Sequence, residues 1–188
     1  MKKEVKTFDS DIEYTTDYRN IKYPRLEFRT GKLHLVLPIG HKNEEKILKK
    51  HKNWIKHKDN EIKRALLLSK KEKLVNRSQE ELKKYILNRI NHSKKKINKI
   101  YFKKMRSKWA SLSSNKNLTF NILLKYLPNN LIDYVIFHEL NHLKERKHNA
   151  AFWSLVKIKY PNYQEKEKEL LIYWFLVQEK GGDKNDTN

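Results

Sequence analysis

One stretch constrains this chain more than any other. The segment YVIFHELNHLKERKH, Tyr134 to His148, places His138, Glu139, His142 and His148 within eleven consecutive positions. Ile132, Ile136, Leu140 and Leu143 recur at i, i+4, i+8 and i+11, which predicts a helix from Leu131 to about Glu145 with that stripe toward a core. His138 and His142 then lie one turn apart on a different face. Two imidazoles so spaced can reach one ion at nitrogen to metal distances of about 2.0 to 2.1 Å. Glu139 is rotated from His138 by about one hundred degrees, so its carboxylate is better aimed at a water on such an ion than at the ion itself.

The bare pattern fits equally well two exposed or hydrogen-bonded histidines beside a solvated acid. Its surroundings shift the balance. Pro128 and Asn130 mark a helix start, with Asp133 expected in the first turn. Downstream, KERKHNAAFW cannot continue the same helix, because Asn149 is a good N-cap for a new one carrying Phe152 and Trp153. The chain must bend near 145–149, and the bend could return His148 to the other two histidines. Three protein ligands with one open position describe a catalytic zinc site, whereas a structural site needs a fourth, and none is obvious nearby. The chain has no cysteine, so any metal is held by nitrogen and oxygen.

The remaining segments predict one α+β domain. Its 188 residues suffice for a single core. A polar N-terminal segment, 1–17, precedes a domain over 18–180 and a disordered tail, 181–188, after a stop at Gly181-Gly182. Leu26 and Phe28, then Leu33, Leu35 and Leu37, alternate around Thr30-Gly31 and predict a β-hairpin. Asn43 caps a helix running through the sixties, with Ile47, Leu48, Trp54 and Ile55 at helical spacing. Ser78 and Glu81 stand in capping-box register before Leu82, Tyr85, Ile86 and Ile90. Ile100 and Phe102, and later Leu118 and Phe120, predict strands on either side of a Ser/Asn-rich connection, KWASLSSNK. Two helices follow, separated by Pro161 and Asn162. Short strands mixed with helices give a small, mainly antiparallel sheet.

Charge and hydropathy bound the partners. The 43 Lys and Arg against 22 Asp and Glu leave a net charge of +21, which would attract nucleic acid, anionic membrane or phosphorylated substrates, although the lysines are spread along the chain and a compositional bias would produce the same excess. No N-terminal apolar region resembles an export signal, and the longest apolar run, LLIYWFLV at 170–177, is too short to span a bilayer. The expectation is a cytoplasmic protein without a membrane partner.

The block from Met105 to Trp153 resembles the YgjP-like metallopeptidase domain, a relative of the WLM and SprT-type zincins. The carriers are a basic residue ahead of a Trp-Gly-Ser-Cys element, a strand, a Pro-containing turn, His-Glu-Leu-x-His-Leu, and His-Ser/Asn-x-x-Phe-Trp, in that order. Likeness extends from about Tyr18 to Leu170. Ala110 stands for the glycine and Leu112 for the cysteine of the first element, while Trp109 and Ser111 are retained. Trp109 reads first as core packing.

The resemblance implies a compact zincin-like fold, Zn2+ bound by His138, His142 and His148, Glu139 as general base, and a peptide or protein substrate. Zinc lowers the pKa of a bound water toward 7 and polarises a carbonyl, so Glu139 need only take and redeliver a proton. A second donor for the oxyanion is not fixed by the sequence: Tyr163, Arg106 and Lys108 are candidates, each with an ordinary structural or solvated alternative. Substrate pairing is expected along Leu118, Thr119, Phe120 and Asn121, although hairpin pairing would explain that strand as well. Two other functions stay open, a metal-dependent nucleotide phosphohydrolase and a DNA-associated protein with a vestigial metal site.

Overall fold

The computed structural model describes residues 5–9, 11–29 and 31–180, and by internal packing the chain divides into two compact units, residues 1–67 and 68–188. The sequence pointed to one domain over 18–180. The expected glycine stop and the tail at 181–188 lie outside the described residues.

In the first unit, β1 (Val5–Phe8), β2 (Ile12–Arg19), β3 (Arg25–Arg29) and β4 (Lys32–Pro38) form a sheet of order β1-β2-β4-β3. The expected hairpin is β3 and β4, antiparallel in the register Leu26↔Leu35 and Phe28↔Leu33. Gly31 turns it at φ 84°, a left-handed value that a Cβ would disfavour. Leu33, Leu35 and Leu37 all point into the core, as their alternation required. The first strand and most of the second fall inside the segment read as polar. Their signal was short: in β2 the buried residues are Ile12 and Tyr14, with Glu13 exposed between them. β2 runs parallel to β4.

Asn43 caps α1 (Glu44–Lys50), its side chain accepting from the Lys46 N–H. The single helix expected here is interrupted at His51, after which α2 (Lys52–Ser69) begins. Leu48 and Ile55 complete a core with Ile12, Tyr14 and the β4 leucines. Glu44 ties this layer together, for its carboxylate accepts from Lys6 (3.1 Å), Tyr14 (3.5 Å) and Tyr18 (2.8 Å).

In the second unit, α3 (Gln79–His92) starts with the full capping box of Ser78 and Glu81, and it buries Leu82, Ile86 and Ile90 as its periodicity demanded. A second sheet has the order β5-β7-β6, from β5 (Lys99–Lys103), β6 (Ala110–Leu112) and β7 (Asn117–Asn121). The strand β6 is the element that the Ser/Asn-rich reading of KWASLSSNK hid. Of five strand pairings in the two sheets, β2 with β4 and β5 with β7 are parallel, so each sheet is mixed and the small single sheet expected is two.

A 3-10 helix (Ile122–Tyr126) leads through Pro128 into α4 (Asn129–Asn141), followed by α5 (Ala150–Lys159) and α6 (Tyr163–Lys180). Leu131, Ile132, Tyr134, Val135, Ile136 and Leu140 of α4 are buried against residues of α3, β7 and α6 in one core. No acid occupies the first turn of α4; Asp133 instead accepts from the Tyr85 hydroxyl (2.8 Å) and pairs with Arg89 (3.1 Å). Among the described residues no helix is long and apolar enough to cross a membrane. The architecture is α+β.

Candidate metal centre

The predicted helix ends earlier than its apolar stripe suggests. Its cap is His142, whose N–H reaches back to the Glu139 and Leu140 carbonyls, and the chain turns from there to Asn149. Asn149 then opens α5 by accepting from the Phe152 N–H at 3.0 Å. That bend returns His148 to α4. Nε2 of His148 lies 2.8 Å from Nε2 of His138, and the ring of His148 is centred 4.6 Å from that of His142. One nitrogen from each of His138, His142 and His148 falls within 4.8 Å of the others.

The outward edges of two of the rings are occupied in a way that fixes which nitrogen faces inward. Nδ1 of His142 lies 3.0 Å from the carbonyl oxygen of Glu145, so it carries the proton and leaves Nε2 with a lone pair. Nδ1 of His138 faces Oε1 of Glu167 in α6 at 3.6 Å, and that oxygen also accepts from the hydroxyl of Tyr134. Burial tends to raise the Glu167 carboxyl, yet His138 and Tyr134 outweigh it and hold the group below the usual carboxylate range. Tyr134 is fully buried, and burial together with Glu167 pushes its hydroxyl far above the ordinary phenol value, so it stays a donor.

Phe152, fully buried, forms an apolar floor. Its ring stacks on His142 at 4.5 Å and meets His138 and His148 edge-on at 4.9 and 4.7 Å. Burial, followed by the charge of neighbouring histidines for His148, lowers the pKa values of His142 and His148, which keeps both rings neutral as ligands must be. A tetrahedral ion with bonds of about 2.0 to 2.1 Å sets its nitrogen ligands about 3.3 Å apart, a spacing that falls between the 2.8 Å of the His138–His148 pair and the 4.8 Å that bounds all three nitrogens. Three imidazoles without a thiolate form a donor set that suits a divalent metal ion.

Glu139 is only 8 % exposed. Burial raises its carboxyl above the usual range, opposed by His138, by the backbone N–H of Leu112 and by Lys108. It opens onto a cleft of about 550 Å³ lined by the histidines, Tyr134, Glu167 and residues 107–114, which include β6.

The substrate strand expected at Leu118 to Asn121 requires correction. β7 is the middle strand of its sheet, with Leu118 and Thr119 paired to β5 and β6 at once, so it has no free edge. Leu118 and Phe120 are wholly buried. Asn121 is a clamp: its side chain accepts from the N–H groups of Met105 and Leu123 and donates to the carbonyls of Met105 (2.9 Å) and Lys108 (2.8 Å). Tyr163 is likewise spent on packing, stacked 4.5 Å from Trp153, which in turn stacks on His148. Of the three oxyanion candidates only Lys108 lines the cleft. Trp109 packs edge-on against Trp174 at 5.0 Å, as expected for core, and its indole N–H donates to the Leu170 carbonyl at 3.4 Å.

The open edge belongs to β6. Trp109 accepts from the Asn121 N–H and Ser113 donates to the Asn117 carbonyl, so the residues bonded to β7 are the odd ones, and Ala110 and Leu112 turn their N–H and C=O groups outward toward the cleft. The sequence reading missed this edge, together with Glu167, Tyr134 and Phe152. A glutamate 29 positions beyond His138 offers no motif; only the packing of α6 beside α4 brings it near.

The family model described as YgjP-like, metallopeptidase domain, matches residues 68–172, the second compact unit less its last residues. Among solved structures, the metallopeptidase zymogen jannalysin of Methanocaldococcus jannaschii is 28% identical with a TM-score of 0.40, covering 50% of this chain and 96% of its own. The zymogen abylysin of Pyrococcus abyssi is 22% identical with a TM-score of 0.42, covering 51% of this chain and 95% of its own. No curated protein sequence matches.

Proposed function

The chain belongs to the YgjP-like metallopeptidase family, and on that premise we propose that it hydrolyses peptide bonds with a zinc ion held by Nε2 of His138, His142 and His148. The observation that carries this reading is the convergence of the three imidazoles beside a nearly buried glutamate at the floor of a cleft. Zinc, when bound, supplies the Lewis acidity that brings a water near neutrality in pKa and polarises the scissile carbonyl.

The chain's own residues do the rest. Glu139 takes the proton of the attacking water and returns it to the leaving nitrogen, a task that a carboxyl raised by burial performs better than an ordinary solvated one. The outward groups of Ala110 and Leu112 pair with the main chain of an extended substrate, adding a strand to β6 and holding its carbonyl over the triad. Glu167 and the Glu145 carbonyl keep His138 and His142 in the tautomer that presents Nε2.

The test is hydrolysis of casein, short peptides and nucleoside triphosphates by the zinc-loaded protein and by Glu139→Gln, with metal content measured in both. Near-stoichiometric zinc in both proteins and peptide cleavage by the first alone support the proposal. Triphosphate turnover without peptide cleavage overturns it.

A further inference from the structure

The cleft has an unbalanced charge. Its acids are Glu139, which is nearly buried, and Glu167, which is engaged by Tyr134 and His138. Among the described residues, the Lys and Arg that line it are Lys108 and Arg146. Both are exposed, and among the described residues neither side chain has a carboxylate within ion-pair distance. Lys108 comes just before the open strand β6, and Arg146 lies on the turn that carries His148, so the two cations stand on the segments that bear the substrate edge and the third imidazole.

We infer that the site selects peptides bearing a carboxylate close to the scissile bond, held by Lys108 and Arg146. The inference rests on the peptidase reading and names the substrate class for it. Two exposed cations facing a cleft partly screened from solvent favour a carboxylate more than scattered surface lysines do, since fewer water dipoles lie between the charges. The required carboxylate has two sources, an Asp or Glu side chain or the free C-terminus of a short peptide.

The experiment compares matched peptides around one scissile bond: neutral with an amidated end, internally acidic with an amidated end, and neutral with a free C-terminus. In low salt, kcat/KM for at least one carboxylate-bearing peptide is expected to exceed that of the neutral one by about tenfold, as charge-assisted hydrogen bonds imply. Preference for the internally acidic peptide assigns the side chain, and preference for the free end assigns the terminus. The advantage should vanish in Lys108→Ala with Arg146→Ala and survive in Lys83→Ala with Lys84→Ala, which removes the same two positive charges from α3. A second readout is binding of the acidic peptide to the metal-free protein, followed by tryptophan fluorescence. Equal rates and equal binding for all three peptides, or a preference unaltered in the double variant, overturn the inference. Absence of cleavage for every peptide overturns the peptidase reading instead, and the binding arm then still decides between a selective and an indifferent cleft.

Discussion

Oε1 of Glu167 lies 3.6 Å from Nδ1 of His138, on the side of the ring opposite the Nε2 that meets His148. A carboxylate behind a ligating imidazole orients the ring and raises its basicity. Glu167→Gln is therefore expected to weaken zinc binding by about 10- to 100-fold while the fold persists. Competition against a chelator measures it; unchanged affinity would show that Glu167 does not act on the metal. Tyr134→Phe, which leaves the carboxylate but removes its hydroxyl partner, should have a smaller effect in the same assay.

Asn121 makes four side-chain hydrogen bonds from a site with no exposed surface. Asn121→Leu would leave the Met105 and Lys108 carbonyls and the Met105 and Leu123 N–H groups without that partner, at about 1 to 3 kcal/mol for each group left unsatisfied. Denaturant unfolding should show a loss of several kcal/mol. A loss under 1 kcal/mol would mean that water replaces the clamp.

Leu112 tests the open edge. Its N–H points away from β7, so Leu112→Pro removes no bond of the ladder and a proline there is tolerated as on other edge strands. The variant should fold and keep its metal but lose kcat/KM on peptides by about tenfold or more, since the single outward N–H of this position, which faces Glu139 beside the cleft, is lost from the edge. Unaltered peptide turnover would remove β6 from the substrate site.

Glu44 governs the pH response of the first unit. Burial raises its carboxyl, but hydrogen bonds from Tyr18 and Lys6 prevail and hold it below the usual range. A group depressed in the folded state contributes stability that is present above its unfolded pKa and lost as pH falls through the folded one. The wild-type advantage over Glu44→Gln should thus be full near neutrality and fade as the medium becomes acidic, below the ordinary carboxylate range. Thermal unfolding of both proteins across pH 2 to 7 checks the sign, and a difference that grows on acidification would reverse it.

Much of this was legible in the order of residues. Helix starts at Asn43, Ser78 and Asn149 announced themselves because a capping side chain must sit at a fixed offset from the N–H it satisfies. The histidines were legible for the same reason: i, i+4 spacing on a helix is local geometry, and Asn149 forced the bend that returns His148. What stayed hidden is set by long-range pairing. The three-residue β6 lies in a Ser-rich run with too few residues for a period to show, and nothing in β7 says that both its edges are taken. Hence Leu118, Thr119, Phe120 and Asn121 read as a substrate strand when they form the middle of a sheet. Glu167 was hidden too, among the acids and lysines of the first turns of α6, ahead of the apolar run that the helix buries.

X-ray absorption at the zinc edge of the loaded protein, compared with that of His148→Ala, tests the shared ion most directly. The account predicts one zinc per chain with three imidazole nitrogens and one lighter oxygen ligand at about 2.0 to 2.1 Å, falling to two imidazoles in the variant. A spectrum with fewer than three imidazoles in the natural chain, or one unchanged by loss of His148, would contradict it.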